Sequence, residues 1–207
     1  IIGLAKQVLS AASLGLMADN VFTMSAQGAG FALVPSTLAM LGLLAFGLYI
    51  YFFFSGFADM AIGLVAMFGF VLPETFNYPY ISRSLTEFWQ RWHISLFRWF
   101  RIYVFMPMGG SRPRLARFRG EIRPRSFMVR NLFVMWLLLG LWHGFSWAYV
   151  FFGMWFFAVY LMEWIVKIQE RAVPKIAGHI YFLIVIGIAW IFYRCDTFDD
   201  SMTFLGN

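Results

Sequence analysis

Charge is what this sequence has least of. Only 13% of its 207 residues are Asp, Glu, Lys or Arg and 61% are hydrophobic, whereas an ordinary soluble domain carries roughly a quarter charged residues. That deficit excludes a water-soluble globular domain. With one cysteine, Cys195, an internal disulfide is impossible and a buried thiol is expected. The three histidines, His93, His143 and His179, lack short ligand spacing, so no metal site is expected. No Ser/His/Asp spacing is visible. No internal repeat is found either, which argues against a transporter built from repeated halves. The chain begins on Ile1 and carries no signal-peptide pattern, so it reads as part of a longer protein.

What is present is long uncharged sequence. Val21 to Ala58 holds no Asp, Glu, Lys or Arg and is interrupted by Pro35-Ser36. Thr37 to Ala58 is therefore expected to be a spanning helix closed by Asp59, since about 22 residues just cross a core of about 30 Å. Met60 to Leu72 is apolar but short, which suits a re-entrant helix. Ile176 to Tyr193 forms a last span, with Arg194 snorkelling at its end. His179 is placed at the interface.

Residues 131–162 are also free of charge, and as one helix they would reach about 48 Å, too long for one crossing. A break is expected at Gly144-Phe145-Ser146. His143 then sits at the inner end of a helix beside loosened backbone, where an intramembrane imidazole is a candidate for chemistry. Imidazole titrates near pH 6.5 and can take a hydroxyl proton as that oxygen attacks a thioester. Gly140, one turn earlier, is expected to leave room for a ligand.

Leu85 to Met106 reads as one amphipathic helix. Glu87, Gln90, Arg91, Arg98 and Arg101 share one face, within about 60° of Glu87, and Phe88, Trp92, Leu96, Trp99, Phe100 and Tyr103 face away. His93 falls at the edge of the apolar side, about 120° from Glu87. Next comes a basic segment in which Arg112, Arg114, Arg117, Arg119, Arg123, Arg125 and Arg130 face one acid, Glu121. Pro113 and Pro124 argue against a continuous helix there. Residues 111–127 are assigned to an Arg-rich cytoplasmic loop by the positive-inside rule, rather than to a nucleic-acid patch. A phosphate-binding role, for a coenzyme or a lipid headgroup, is the other reading.

Several strings carry a resemblance: Asn77-Tyr78-Pro79-Tyr80, the run from Ser84 through Glu87-Phe88-Trp89-Gln90-Arg91-Trp92-His93, Pro107-Met108-Gly109-Gly110, Leu141-Trp142-His143-Gly144 and Phe192-Tyr193-Arg194. In order and spacing they resemble the membrane-bound O-acyltransferase family, in its bacterial alginate O-acetyltransferase branch. The resemblance implies an all-α, multi-pass membrane bundle with an amphipathic helix and short re-entrant or interfacial helices, one membrane domain over 1–207. It implies a bacterial inner-membrane enzyme moving an acetyl or other short acyl group from a cytoplasmic thioester to a hydroxyl outside.

Acetyl-CoA or another acyl thioester would be the donor substrate, with no tightly bound cofactor. The expected partners are acyl-CoA or an acyl carrier protein, a polysaccharide acceptor or extracytoplasmic acyltransferase, and membrane lipids. His143 matches the family's central histidine and His93 a second one, for which a supporting role is expected. Asn77, Tyr78, Arg91, Trp92 and Trp142 are the candidate substrate contacts. Transfer of D-alanine from a carrier protein is the close alternative. Family members usually carry Asp where this chain has Phe53 and Ile102, and often His where it has Phe156. A non-catalytic scaffold is therefore one remaining reading, and a channel or transporter, with the intramembrane histidine as a proton relay, is another.

Overall fold

A computed structural model describes residues 1–24, 35–108, 125–168, 171, 173–195 and 197–206, with the backbone alone for Arg125. Among them there is helix and connecting chain but no strand. Four helical stretches, Ser36–Met67, Ser126–His143, Trp147–Val166 and Lys175–Arg194, are long and apolar enough to cross a membrane. The expected helical membrane bundle is present. Residues 109–124, with most of the Arg-rich segment, lie outside the described residues. Contacts divide the chain into two compact units, Ile1–Asn77 with Leu183–Asn207, and Tyr78–Phe182.

In the first unit, α1 (Ile2–Ala5), a π-helical turn (Lys6–Ala11) and α2 (Ala12–Met24) run antiparallel to α3 (Ser36–Met67). A Cβ on Gly3 would strike the Gly56 carbonyl, and one on Gly42 would meet Val21 at 2.6 Å. Small residues are what let apolar helices approach where water supplies no drive. The helix does not stop at Asp59 as expected. α3 runs 32 residues to Met67 because Lys6 neutralises Asp59 at 2.8 Å. The re-entrant segment expected from Met60 is instead its last turns, and the chain leaves through Gly69 at φ +83°. Arg194, expected to snorkel at the end of its span, pairs with Asp19 at 2.8 Å and lies over the Phe22 ring. It ends α8 (Lys175–Arg194), which is followed by α9 (Phe198–Leu205). Cys195 is a buried free thiol.

The second unit is built on a hairpin of α6 (Arg125–His143) and α7 (Trp147–Val166). The break falls where expected: Ser146 caps α7 by accepting the Ala148 N–H at 3.3 Å. Gly144, at φ +152°, makes the turn, and a Cβ there would also meet the Tyr149 ring at 2.9 Å. Gly140 and Gly153 sit at the crossing of the two helices. A side chain on Gly140 would collide with the Tyr149 carbonyl, and one on Gly153 with that of Trp136. The space at Gly140 is thus filled by α7 backbone, correcting the expectation of room for a ligand.

Candidate active site

Two short helices lead to the first histidine. α4 (Leu85–Trp89) and α5 (Ile94–Phe100) replace the single helix expected from Leu85 to Met106. The chain kinks at His93, which takes a left-handed conformation at φ +41°. Histidine enters that region more readily than most side chains. The kink resets the helical phase, so the wheel drawn through Glu87 fails beyond His93. Trp99 and Tyr103, expected on the packed side, are half or more exposed.

α4 is too short to hold itself together, and its amides show what does. The N–H of Leu85 donates to Glu163 Oε1 at 2.6 Å and that of Thr86 to Oε2 at 2.9 Å. The Glu87 N–H donates to Ser84 Oγ at 3.1 Å, and the Phe88 N–H to the Ser84 carbonyl. The Thr86 hydroxyl at 2.7 Å and the Tyr181 hydroxyl at 3.0 Å also donate to Glu163. The Leu85, Thr86 and Glu87 amides, which the helix start leaves without an intrahelical partner, are therefore satisfied, and the Phe88 bond begins the intrahelical ladder. Glu163 is 2% exposed, and four donors make its burial tolerable. The sequence reading missed this residue. The available signal was its position as the one acid closing a long uncharged run.

The inner face of α4 is aromatic. Phe88 is fully buried and stacks on Trp92 at 5.4 Å, and Trp89 meets Trp136 and Phe156 edge-on at 5.1 Å each. The indole N–H groups of Trp89 and Trp136 are buried without a hydrogen-bond partner. Phe156, where the resemblance implies a histidine, is wholly buried between these rings and offers them no acceptor.

His143 is the last residue of α6 and half-buried. Its ring lies 4.9 Å from Trp142, 6.1 Å from Tyr149 and, edge-on, 5.5 Å from Phe152, measured between centroids. His93 and His143 lie in the same unit and close enough to interact electrostatically. Burial pushes the His93 ring below its ordinary pKa of 6.5, against a smaller opposing effect of its backbone hydrogen bond. His93 Nδ1 lies 3.5 Å from Ser95 Oγ.

The other candidates are more scattered. Arg91 is held by Glu87 at 3.0 Å on the outer side of α4. Trp92 is a packed ring near Tyr80 at 6.2 Å. Trp142 is exposed beside His143. Tyr78 is exposed at a left-handed backbone position, where it precedes the 3-10 turn Pro79–Ile81. Asn77 belongs to the first unit. His179, expected at an interface, donates from Nδ1 to the Ser82 carbonyl at 3.1 Å. No three His, Cys, Asp or Glu side chains gather into a metal-binding group among the described residues.

The arrangement provides two imidazoles in one aromatic unit, one of them at a helix end beside a glycine turn. The model of the membrane-bound O-acyltransferase family matches residues 16–196. The chain is 38% identical over 200 residues to the probable alginate O-acetylase AlgI of Azotobacter vinelandii, covering 95% of this chain and 36% of that protein. It is 30% identical to the peptidoglycan O-acetyltransferase of Helicobacter pylori, over 99% of this chain and 36% of that one. A teichoic acid D-alanyltransferase of Bacillus subtilis is 33% identical over 56% of this chain and 28% of its own length. The chain spans about a third of the length of the first of these relatives.

Proposed function

Because the chain belongs to the membrane-bound O-acyltransferase family, we propose that it carries the histidine centre of a bacterial inner-membrane O-acyltransferase. The observation that supports this most is the placement in one compact unit of His143, at the break between two long apolar helices, and His93, at the kink between α4 and α5. Acetyl or another short acyl group arrives as a thioester of coenzyme A. The acceptor is a hydroxyl of an exported polysaccharide or of a partner acyltransferase. The acetylases among the relatives support this in kind.

In the reaction, His143 takes the proton of the acceptor hydroxyl as its oxygen attacks the thioester carbonyl. The carbon–sulfur bond then breaks, the thiolate leaves, and the proton returns to sulfur. His93 orients the acceptor or the donor carbonyl. Asn77, Tyr78, Arg91, Trp92 and Trp142 contribute to substrate contact.

The hairpin gives this chemistry a direction. Its open end carries Arg130, Lys167 and Arg171, and its closed end, with Trp142, Phe145 and Trp147, carries no charge. The basic end faces the cytoplasm by the positive-inside rule. The D-alanyltransferase match supports a second reading, in which a carrier-protein thioester is the donor. The test is transfer of radiolabelled acetyl from acetyl-CoA by the purified membrane protein. Transfer that His143→Ala abolishes while donor binding persists supports the reading, and transfer that His143→Ala leaves intact refutes it.

A further inference from the structure

At the basic end of the hairpin lies a half-open cleft of about 320 Å³, lined by Arg83, Ser84, Glu87, Gln90, Ile168, Arg171 and Val173. Its lining is unequal in charge. Glu87 is spent on the Arg83 N–H at 2.9 Å and on the Arg91 side chain at 3.0 Å. The Ser84 hydroxyl is committed to the Glu87 amide at 3.1 Å. The guanidinium groups of Arg83 and Arg171 have no hydrogen-bond or ion-pair partner among the described residues. Among the described residues the cleft thus presents two cations without an ion-pair partner, while the carboxylate in its wall is balanced by Arg91.

Both arginines are set in place by backbone. Arg83 directly precedes Ser84, the cap of α4, and its Cβ lies against Gly178 of α8. Arg171 follows the left-handed cap of α7 at Lys167, in a turn where its N–H donates to the Ile168 carbonyl at 3.3 Å and its own carbonyl accepts from Val173 at 2.9 Å.

We propose that Arg83 and Arg171 form a phosphate-binding cleft at the basic end of the α6–α7 hairpin. Planar guanidinium forks match the oxygens of a phosphate and bind them with paired, charge-assisted hydrogen bonds. The volume is at the low end of ligand sites, which run from about 300 Å³, so it seats a phosphate or diphosphate group rather than a whole nucleotide. Two sources offer that chemistry: the phosphates of a coenzyme A thioester and the headgroup of an anionic phospholipid. On the acyltransfer reading, on which the first source rests, the cleft holds the donor by its phosphates on the outer face of α4. The same helix leads directly to His93.

The experiment measures equilibrium binding of coenzyme A to the purified protein in phosphatidylcholine nanodiscs, comparing the wild type with the Arg83→Gln/Arg171→Gln double variant. The dissociation constant is expected to rise at least about tenfold, since a charge-assisted bond contributes about 1.5–3 kcal/mol and 1.4 kcal/mol is tenfold. In the kinetic arm, the preference for acetyl-CoA over S-acetylpantetheine, which has no phosphate, falls by a similar factor. The binding arm needs no turnover, so the cleft is tested even if the acyltransfer reading fails. Adding phosphatidylglycerol to the nanodiscs separates the sources. If it weakens coenzyme A binding in the wild type alone, the cleft holds a lipid headgroup. If the double variant does not stay monodisperse, Arg83→Lys/Arg171→Lys keeps the charge and loses the fork, and a threefold or greater weakening is expected. Unchanged coenzyme A binding in the variants, together with no effect of phosphatidylglycerol, overturns the proposal.

Discussion

The carboxylate of Glu163 accepts the amide of Leu85 at 2.6 Å, although 78 residues separate them in the chain. One spanning helix thereby fixes the start of the five-residue helix that leads to His93. Glu163→Gln keeps one carbonyl oxygen but turns an NH2 toward a backbone N–H that can only donate. A shift of about 1 Å at a reacting group costs on the order of 10²-fold, so kcat should fall by roughly tenfold to a hundredfold. The pH profile should not move, because Glu163 is not the base. A shifted profile in steady-state assays would give it a proton-transfer role instead. Glu163→Ala orphans four donors, each worth about 1–3 kcal/mol, and should not yield a monodisperse protein.

His143→Ala should bind the acyl donor normally while transfer falls by roughly 10² to 10⁴, the usual worth of a general base. His143→Gln should not recover activity, since an amide accepts no proton near neutral pH. Single-turnover transfer and donor binding measured on the same preparation check this.

For His93 the sign follows from burial, which holds its pKa below 6.5 in the folded protein. As pH falls through 6.5, the unfolded chain takes up a proton that the folded one resists, so stability declines toward acid. His93→Gln removes this contribution, and its thermal midpoint should fall less steeply between about pH 7 and 5.5 than that of the wild type. Parallel curves in a detergent melting series would contradict it. Gln should also retain part of the activity that Ala loses, as expected of a group that orients rather than transfers a proton.

Gly140→Ala should disrupt the α6–α7 crossing, because its Cβ has only the Tyr149 carbonyl and Gly153 backbone to enter. Overpacking of this kind costs about 1–3 kcal/mol or more. Melting temperature and elution profile report it, and a wild-type melting curve would mean the helices separate easily.

Ser126, at the basic end of α6, and Phe145, 96% exposed in the turn, stand at opposite ends of the hairpin. A cysteine at Phe145 should react with an impermeant thiol reagent in intact cells, and one at Ser126 should not. The reverse pattern would invert the assigned orientation.

The break at Gly144 and the pairing of long apolar helices were legible because hydrocarbon thickness limits helix length. The kink at His93 was not, since a helical wheel presumes an unbroken helix and carries no mark of where the backbone turns left-handed. Asp59 misled because a charge looks like a stop until its neutralising Lys6, 53 residues earlier, is seen at 2.8 Å. Glu163 was invisible for a related reason. Two of its four partners are backbone amides, which every sequence has and none displays. Gly140 looked like space for a ligand, but a small residue in a spanning helix is as readily a place where another helix comes close.

The pair of Arg194 and Asp19, at 2.8 Å across 175 positions, also bears on how the protein is made. Translation at about 5–20 residues per second leaves Asp19 in the nascent chain for roughly 9–35 s before Arg194 is synthesised. During that interval α1 to α3 can associate through their glycines and through Lys6 and Asp59, but the clasp that joins α2 to α8 cannot close. Truncation after Tyr193 should therefore leave an inserted but protease-sensitive first unit, so that α8 acts as a quality check on segments already in the membrane.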